Sequence, residues 1–318
     1  MGAGLTGCNR SATAPQAPPS QPPQEMTWTT QLDRAHPLVG RVWDCRRAVY
    51  VEPEAMLETI GAARIVLLGE KHDNPDHHRL QARVLQSIVA RNRRPAVAFE
   101  MLETDQQPDI DRYRVNPSAT ARGLGAATAW DKSGWPSFDE YLPIFEVAFQ
   151  YGLAIVAANL PKERIRGIVH HGTGILGAEV AHLALDPPVP APLEASLRKE
   201  LAASHCGQLP DEMFAPMALA QHVRDAEMAK MMLDADRGDG AVLIAGAGHV
   251  RGDRGVPFYI ARQKPGTRVA SIAWLEVQKG VENPAAYAEG FAAERLPFDF
   301  VWFTPRANDD DPCAAFHR

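Results

Sequence analysis

The chain has no uninterrupted apolar run of about 18 residues, the least that reads as a membrane-crossing helix. Its best candidate, Phe145 to Leu160, is broken by Glu146 and Gln150. Cationic excess is also missing: 33 Lys and Arg stand against 39 Asp and Glu, a net charge of −6 with histidines neutral, which excludes a nucleic-acid binder working by bulk charge. Cysteine is scarce. Cys8, Cys45, Cys206 and Cys313 show no CxxC spacing, so the commonest structural zinc sites are excluded. Gly246-x-Gly248 has no third glycine and no long helix after it, so it falls short of a dinucleotide fingerprint, and NAD binding is not expected. Ser133 and Ser137 lack the setting of a nucleophile elbow. No repeat of about 20–50 residues is present. What remains is 318 residues, 45% hydrophobic and 23% charged, ordinary for a globular chain able to bury a sizeable core.

The N-terminal part divides from the rest by composition. Leu5-Thr6-Gly7-Cys8 is similar to the lipobox of bacterial lipoproteins, where small residues before a cysteine admit a signal peptidase and the thiol is then lipidated. Residues 9–26 are rich in Pro, Gln, Ala and Ser, the composition of a disordered, partly polyproline tether. Met1 to Gly7 supply neither the basic n-region nor the apolar h-region of a signal peptide, so the lipobox reading requires a start upstream of Met1. The alternative is a chance match in a cytosolic terminus. Asn9 is not the aspartate associated with inner-membrane retention, so the expectation is a lipid-anchored protein of the bacterial outer membrane, facing the periplasm. In that oxidising compartment Cys45, Cys206 and Cys313 would give one disulfide and one free thiol, and the sequence does not choose the pair.

From about Leu38 short β-branched runs alternate with helical patterns. Ala63–Gly69, Pro95–Met101, Leu153–Asn159 and Gly240–Ala245 read as strands, the first a continuous apolar run as in a strand buried on both faces. Val269–Val277 and Phe300–Phe303 read as late strands. A helix opens at Asn74-Pro75-Asp76, a cap, a first-turn proline and an early acid, with Leu80, Val84, Leu85, Ile88 and Val89 at helical spacing. Further helices are expected over Tyr141–Gln150, Lys162–His170, Glu194–Ala203 and Met213–Asp236, where Met228, Met231 and Met232 read as core. This alternation predicts a three-layer α/β/α sandwich around a mostly parallel sheet. The expected division is a tether at 1–37, an α/β domain at 38–306 with a helical insertion or lid at 172–237, and an acidic tail at 307–318.

In open parallel sheets ligands sit outside the carboxyl ends of the strands, and the polar residues here fall at those ends. Glu70, Lys71, His72, His77 and His78 follow the first strand, Glu100 ends the second, Asn159 the third, and His249 and Arg251 follow the fourth. His72, Glu100 and His249 are expected to converge. Such a cluster could coordinate zinc or iron, activate water or grip an anion. The helix start near Asn74 adds a positive dipole end suited to carboxylates. His170, His171 and His222 read as surface or helix histidines.

Leu67 to Pro75 with His78, then Phe99-Glu100-Met101, Ala157-Ala158-Asn159 and Gly246-Ala247-Gly248-His249 together resemble the ChaN family of haem-binding uptake lipoproteins. That family belongs to a superfamily with the Tiki metalloproteases, TraB-like proteins and erythromycin-esterase-like hydrolases. The likeness runs from about Leu38 to Phe303 and includes Trp130, Tyr141-Leu142-Pro143, Gln221 and Gly255-Val256-Pro257. It implies a lipid-anchored protein of haem import, with the superfamily's polar site on Glu70, His72, Glu100 and His249. Lys71 stands where relatives often carry an aliphatic residue.

Two functions follow. As a haem carrier, the chain would use His72, His78 or Tyr141 as axial ligand and Lys71, Arg251 and the helix start for the propionates. A homodimer would then sandwich a cofactor too large for a shallow crevice. As a hydrolase, His72 or Glu100 would activate water, with or without a divalent metal on His72, Glu100 and His249, while His249 or Arg251 steadies the oxyanion. A third reading is a scaffold that has lost both activities.

Overall fold

The computed structural model describes residues 27–311, 313 and 314. Cys8 and the tether at 9–26 lie outside the described residues. Among the described residues eight strands form one sheet: β1 (Val42–Asp44), β2 (Val49–Val51), β3 (Ile65–Glu70), β4 (Ala96–Glu103), β5 (Ile155–Asn159), β6 (Ala241–Gly246), β7 (Val269–Glu276) and β8 (Phe300–Thr304). Their order is β2-β1-β8-β7-β3-β6-β4-β5. From β8 to β5 neighbouring strands run parallel, and β1 and β2 add an antiparallel edge.

The helices are α1 (Pro53–Gly61), α2 (Pro75–Val89), α3 (Gln107–Arg114), α4 (Ala121–Ala127), α5 (Phe138–Gln150), α6 (Lys162–His171), α7 (Glu179–His182), α8 (Ala191–Ser204), α9 (Phe214–Ala235) and α10 (Val256–Gln263). The sheet explains the unalternating strand sequences. Along β3, Val66 and Leu68 pack with Met56 of α1, Val84 and Leu85 of α2 and Phe145 of α5. Ile65 and Leu67 point the other way, into a second core with Ile168 of α6, Met228 and Met232 of α9 and Ile260 of α10. Successive side chains point to opposite faces of a strand, so a strand covered on both faces must be apolar at every position. This is the expected three-layer sandwich. Within 172–237, α9 is therefore a layer helix of the sandwich, whereas α8 stands outside it on a small apolar cluster of Leu197, Leu201, Phe214 and Ala218.

α2 begins as its sequence dictates. Asn74 Oδ1 accepts the Asp76 amide and Pro75 takes the first turn, where its missing N–H costs nothing. The Asp76 carboxylate is then engaged by the amides of Thr29 and Thr30, which ties the start of the described chain to this helix end. A disulfide joins Cys206 to Cys313, leaving Cys45 as the free thiol among the described residues. Burial, with the Asp44 and Asp299 charges, pushes the Cys45 thiol up to about 12.

Both neighbours of β3, namely β6 and β7, come much later in the chain. The chain leaves β3 outward to β4 and β5, returns to β6 beside β3, and continues to β7 and β8 on the other side. Such a switch point opens a crevice at the carboxyl ends of the strands involved.

Candidate functional site

Three strand ends build the crevice. Glu70 ends β3 and pairs in register with Gly246, the end of β6. On β4 the ladder with β5 shifts register between Phe99 and Glu103, and Glu100 lies within that shift. A Cβ on Gly246 would lie 2.9 Å from His72 Nε2 and 3.6 Å from Glu100 Oε2, so glycine here leaves room for the His72 ring beside Glu100.

Two carboxylates organise the side chains. Glu70 Oε1 accepts the Tyr141 hydroxyl at 2.8 Å and holds His72 Nδ1 at 2.8 Å, while His78 Nε2 stands 3.4 Å from Glu70 Oε2 and its ring stacks on Tyr141 at 3.9 Å. Glu100 Oε2 accepts the Gly246 amide at 2.8 Å, and Glu100 Oε1 takes the Arg224 guanidinium at 2.6 Å and faces His249 Nε2 at 3.2 Å. His72 Nε2 comes within 3.8 Å of Glu100 Oε2. Behind His249, Asp225 Oδ1 lies 2.6 Å from Nδ1; Asn159 Oδ1 accepts from Arg224 Nε and Gln221 Oε1 from Arg224 Nη1. Each imidazole is thus steered by its own carboxylate, and both turn Nε2 toward Glu100.

The electrostatics follow from burial opposed by partners. Burial would raise Glu70, yet the His78 and His72 imidazoles hold its carboxyl far below the usual range. Burial opposes ionisation of Glu100 too, but His249, His72 and Arg224 keep it well below that range. For His249, burial disfavours the charge and the Glu100 and Asp225 carboxylates overcome it, raising the imidazole to about 9. His72 is raised by Glu100 and Glu70 against the same burial. Tyr141 moves the other way: burial first, then the Glu70 charge, push its hydroxyl far up, so it stays a neutral donor.

The structure thus brings Glu70, His72, His78, Glu100, Tyr141 and His249 into one network. Lys71 sits on the rim, its side chain 41% exposed, bridging Asp73 at 2.8 Å and Glu276 at 3.4 Å. Arg251 does not join them. It is fully buried, and its guanidinium is taken at 2.7 Å by Glu200 of α8 and at 2.7 Å by Asp253, two residues further along its own loop. Arg224 supplies the cation beside the cluster instead. The sequence reading missed Arg224, Asp225 and Trp135, whose ring lies 4.7 Å from the His72 ring. His77 serves the fold: its Nδ1 accepts the Lys71 amide and its Nε2 bonds Thr304 Oγ1. A cavity of about 530 Å³, lined by Cys45, Ser196, Asp253 and Leu296 among others, lies outside this network.

As a zinc or iron site the set His72, Glu100 and His249 fails. Among the described residues no group of three or more His, Cys, Asp or Glu is placed to hold a metal ion. The donor set gives the reason: Glu100 Oε1 is taken by Arg224, and His249 has Nδ1 on Asp225 and Nε2 facing that same Glu100 oxygen, so these donors are turned onto one another.

Among solved structures the chain is similar in fold to the ChaN of Campylobacter jejuni, described with cofacially bound haem, at 21% identity and a TM-score of 0.64 over 82% of this chain and 95% of that one. A weaker likeness, 15% identity and a TM-score of 0.47, covers 90% of this chain and 99% of the erythromycin esterase EreC. No curated protein matches the sequence. Residues 56–260 match the family described as haem-binding uptake, Tiki superfamily, ChaN, and that span carries every member of the cluster from Glu70 to His249; the chain belongs to this family.

Proposed function

We propose that this chain is a lipid-anchored protein that binds haem at the carboxyl edge of its sheet and passes it along an uptake route. The observation that carries the reading is the state of His72. Of the three residues offered as axial ligands, Tyr141 and His78 are fully buried, whereas the His72 side chain is 30% exposed. Its Nδ1 is fixed by Glu70, and its Nε2, 3.8 Å from Glu100 Oε2, is the ring nitrogen left without a hydrogen bond, the arrangement in which a carboxylate orients a metal-binding imidazole. Trp135 beside it offers an aromatic wall for a flat macrocycle. Lys71 on the rim would be the cation for a propionate, and haem, when bound, would supply an iron centre for which His72 would be the donor.

The Campylobacter relative binds haem cofacially. A macrocycle held here on one face leaves an apolar surface that a second copy of the chain would cover, so dimerisation accompanies loading. Lipidation of Cys8 would hold the protein on the periplasmic side of the outer membrane through the tether at 9–26. Release of the protein from membranes by Cys8→Ser, expressed from the native gene, supports this; unchanged membrane association refutes it.

A second reading, metal-free hydrolysis, is favoured by the pair of carboxylate-steered imidazoles. His72, oriented by Glu70, would act as base, and Arg224 would replace Arg251 as the cation beside a developing oxyanion. Titration with haemin separates the two. A saturable Soret shift supports haem binding; no spectral response, together with ester turnover lost in His72→Ala, supports hydrolysis and removes the first reading.

A further inference from the structure

Beyond β8 the chain turns back across the carboxyl edge of the sheet. Pro305 O accepts Asn74 Nδ2 at 3.1 Å, the Ala307 amide donates to Glu276 Oε1 at 2.7 Å, and Asn308 Nδ2 reaches Asp73 Oδ2 at 2.9 Å. The segment therefore lies on the β3–α2 loop that presents Lys71 and His72. Further along, Cys313 is bonded to Cys206, just beyond the C-terminus of α8 and 107 residues away in sequence.

α8 in turn lies on the loop after β6. Glu200 Oε2 binds Arg251 Nη1 at 2.7 Å and also Arg254, and a Cβ on Gly248 would lie 3.0 Å from Glu200 Oε1, so the helix sits directly on the residue before His249. Among the described residues its other attachments include Glu194 with His222 at 2.7 Å, Ser196 Oγ on Ala292 O, and Arg198, which pairs with Asp211 at 2.8 Å and lies over the Phe214 ring; its buried apolar residues are Leu197 and Leu201, packed with Phe214 and Ala218. A helix outside the main core with so little buried apolar surface opens more readily than the strands beneath it.

We propose that the C-terminal segment is a redox-releasable strap: the Cys206–Cys313 disulfide ties α8 down over the His249 loop, and reduction frees the helix and widens access to the crevice. The reductant is a dithiol. Its two thiols give two electrons and two protons to the bond, Cys206 and Cys313 become thiols, and the reductant closes to its own disulfide. The device is independent of what the crevice binds and goes beyond the haem reading.

Hydrogen exchange of the full chain, oxidised and after dithiothreitol, tests it. The expected result is exchange about tenfold or more faster over 191–204 on reduction, with β3, β4 and β6 unchanged. The Cys206→Ser/Cys313→Ser variant should reproduce the reduced pattern without reductant, and haemin, where it binds, should associate faster with both. Unchanged exchange over 191–204 overturns the proposal, as does a uniform rise across the sheet, which would make the disulfide a general staple. Because exchange is read without haem, a failure to bind haemin counts against the haem reading alone.

Discussion

Asp225 Oδ1 lies 2.6 Å from His249 Nδ1, and this contact makes the GxxH histidine a fixed cation instead of a free base. With Glu100 on the other nitrogen, both N–H groups of the imidazolium are used. Asp225→Asn should therefore lower the His249 pKa from about 9 toward the ordinary histidine value, as read by NMR titration. The sign for stability follows. A histidine raised in the folded state contributes stability that is fully present below its unfolded pKa of about 6.5 and is lost as pH rises through about 9. Denaturant unfolding near pH 6 should show a loss of about 1–3 kcal/mol in the variant, shrinking above pH 9. A pH-independent difference would contradict the assignment.

Gly246→Ala tests the close approach of the strand ends. The new methyl would meet His72 Nε2 at 2.9 Å, so His72 must turn away from Glu100 and toward solvent. A cost of about 1–3 kcal/mol in unfolding free energy is expected from overpacking, with weakened haemin binding. Wild-type affinity in a variant whose His72 resonances have moved would show that His72 placement does not matter to the ligand.

His77 predicts part of the acid sensitivity. Burial, with His78 nearby, lowers its pKa to about 3, so the folded chain keeps it neutral where the unfolded chain, protonating near 6.5, does not. The unfolded state then binds more protons between those values, and stability falls as pH drops through that window by up to about 1.4 kcal/mol per pH unit from this one group. His77→Gln should flatten that slope in urea titrations run from pH 6.5 to 4. An unaltered slope would place the sensitivity elsewhere.

The parts of this molecule that were legible in sequence are those where burial left no choice of residue. β3, β4, β5 and β6 are covered on both faces and appear as apolar runs, and the polar residues that end them mark the crevice. β1 and β2 escaped because three residues are too few to show a period. Asp225 was hidden by the small residues and methionines of α9. It lies three positions before Met228 and seven before Met232 on a buried face, and a charge there was the available signal. Trp135 lies in a loop with no periodicity to place it. Arg251 misled because nearness in sequence to His249 does not survive the turn that sends its guanidinium to Glu200. The disulfide partners are set by where α8 ends, which no spacing of cysteines encodes.

His72 is the residue proposed to meet haem iron. The direct measurement is the absorption and resonance Raman spectrum of haemin-loaded wild type, His72→Ala and Tyr141→Phe, with and without free imidazole. We expect His72→Ala to change the Soret band, added imidazole to restore it, and Tyr141→Phe to match wild type, because the Tyr141 hydroxyl is buried against Glu70. A tyrosinate signature in wild type that survives His72→Ala and vanishes in Tyr141→Phe would contradict it.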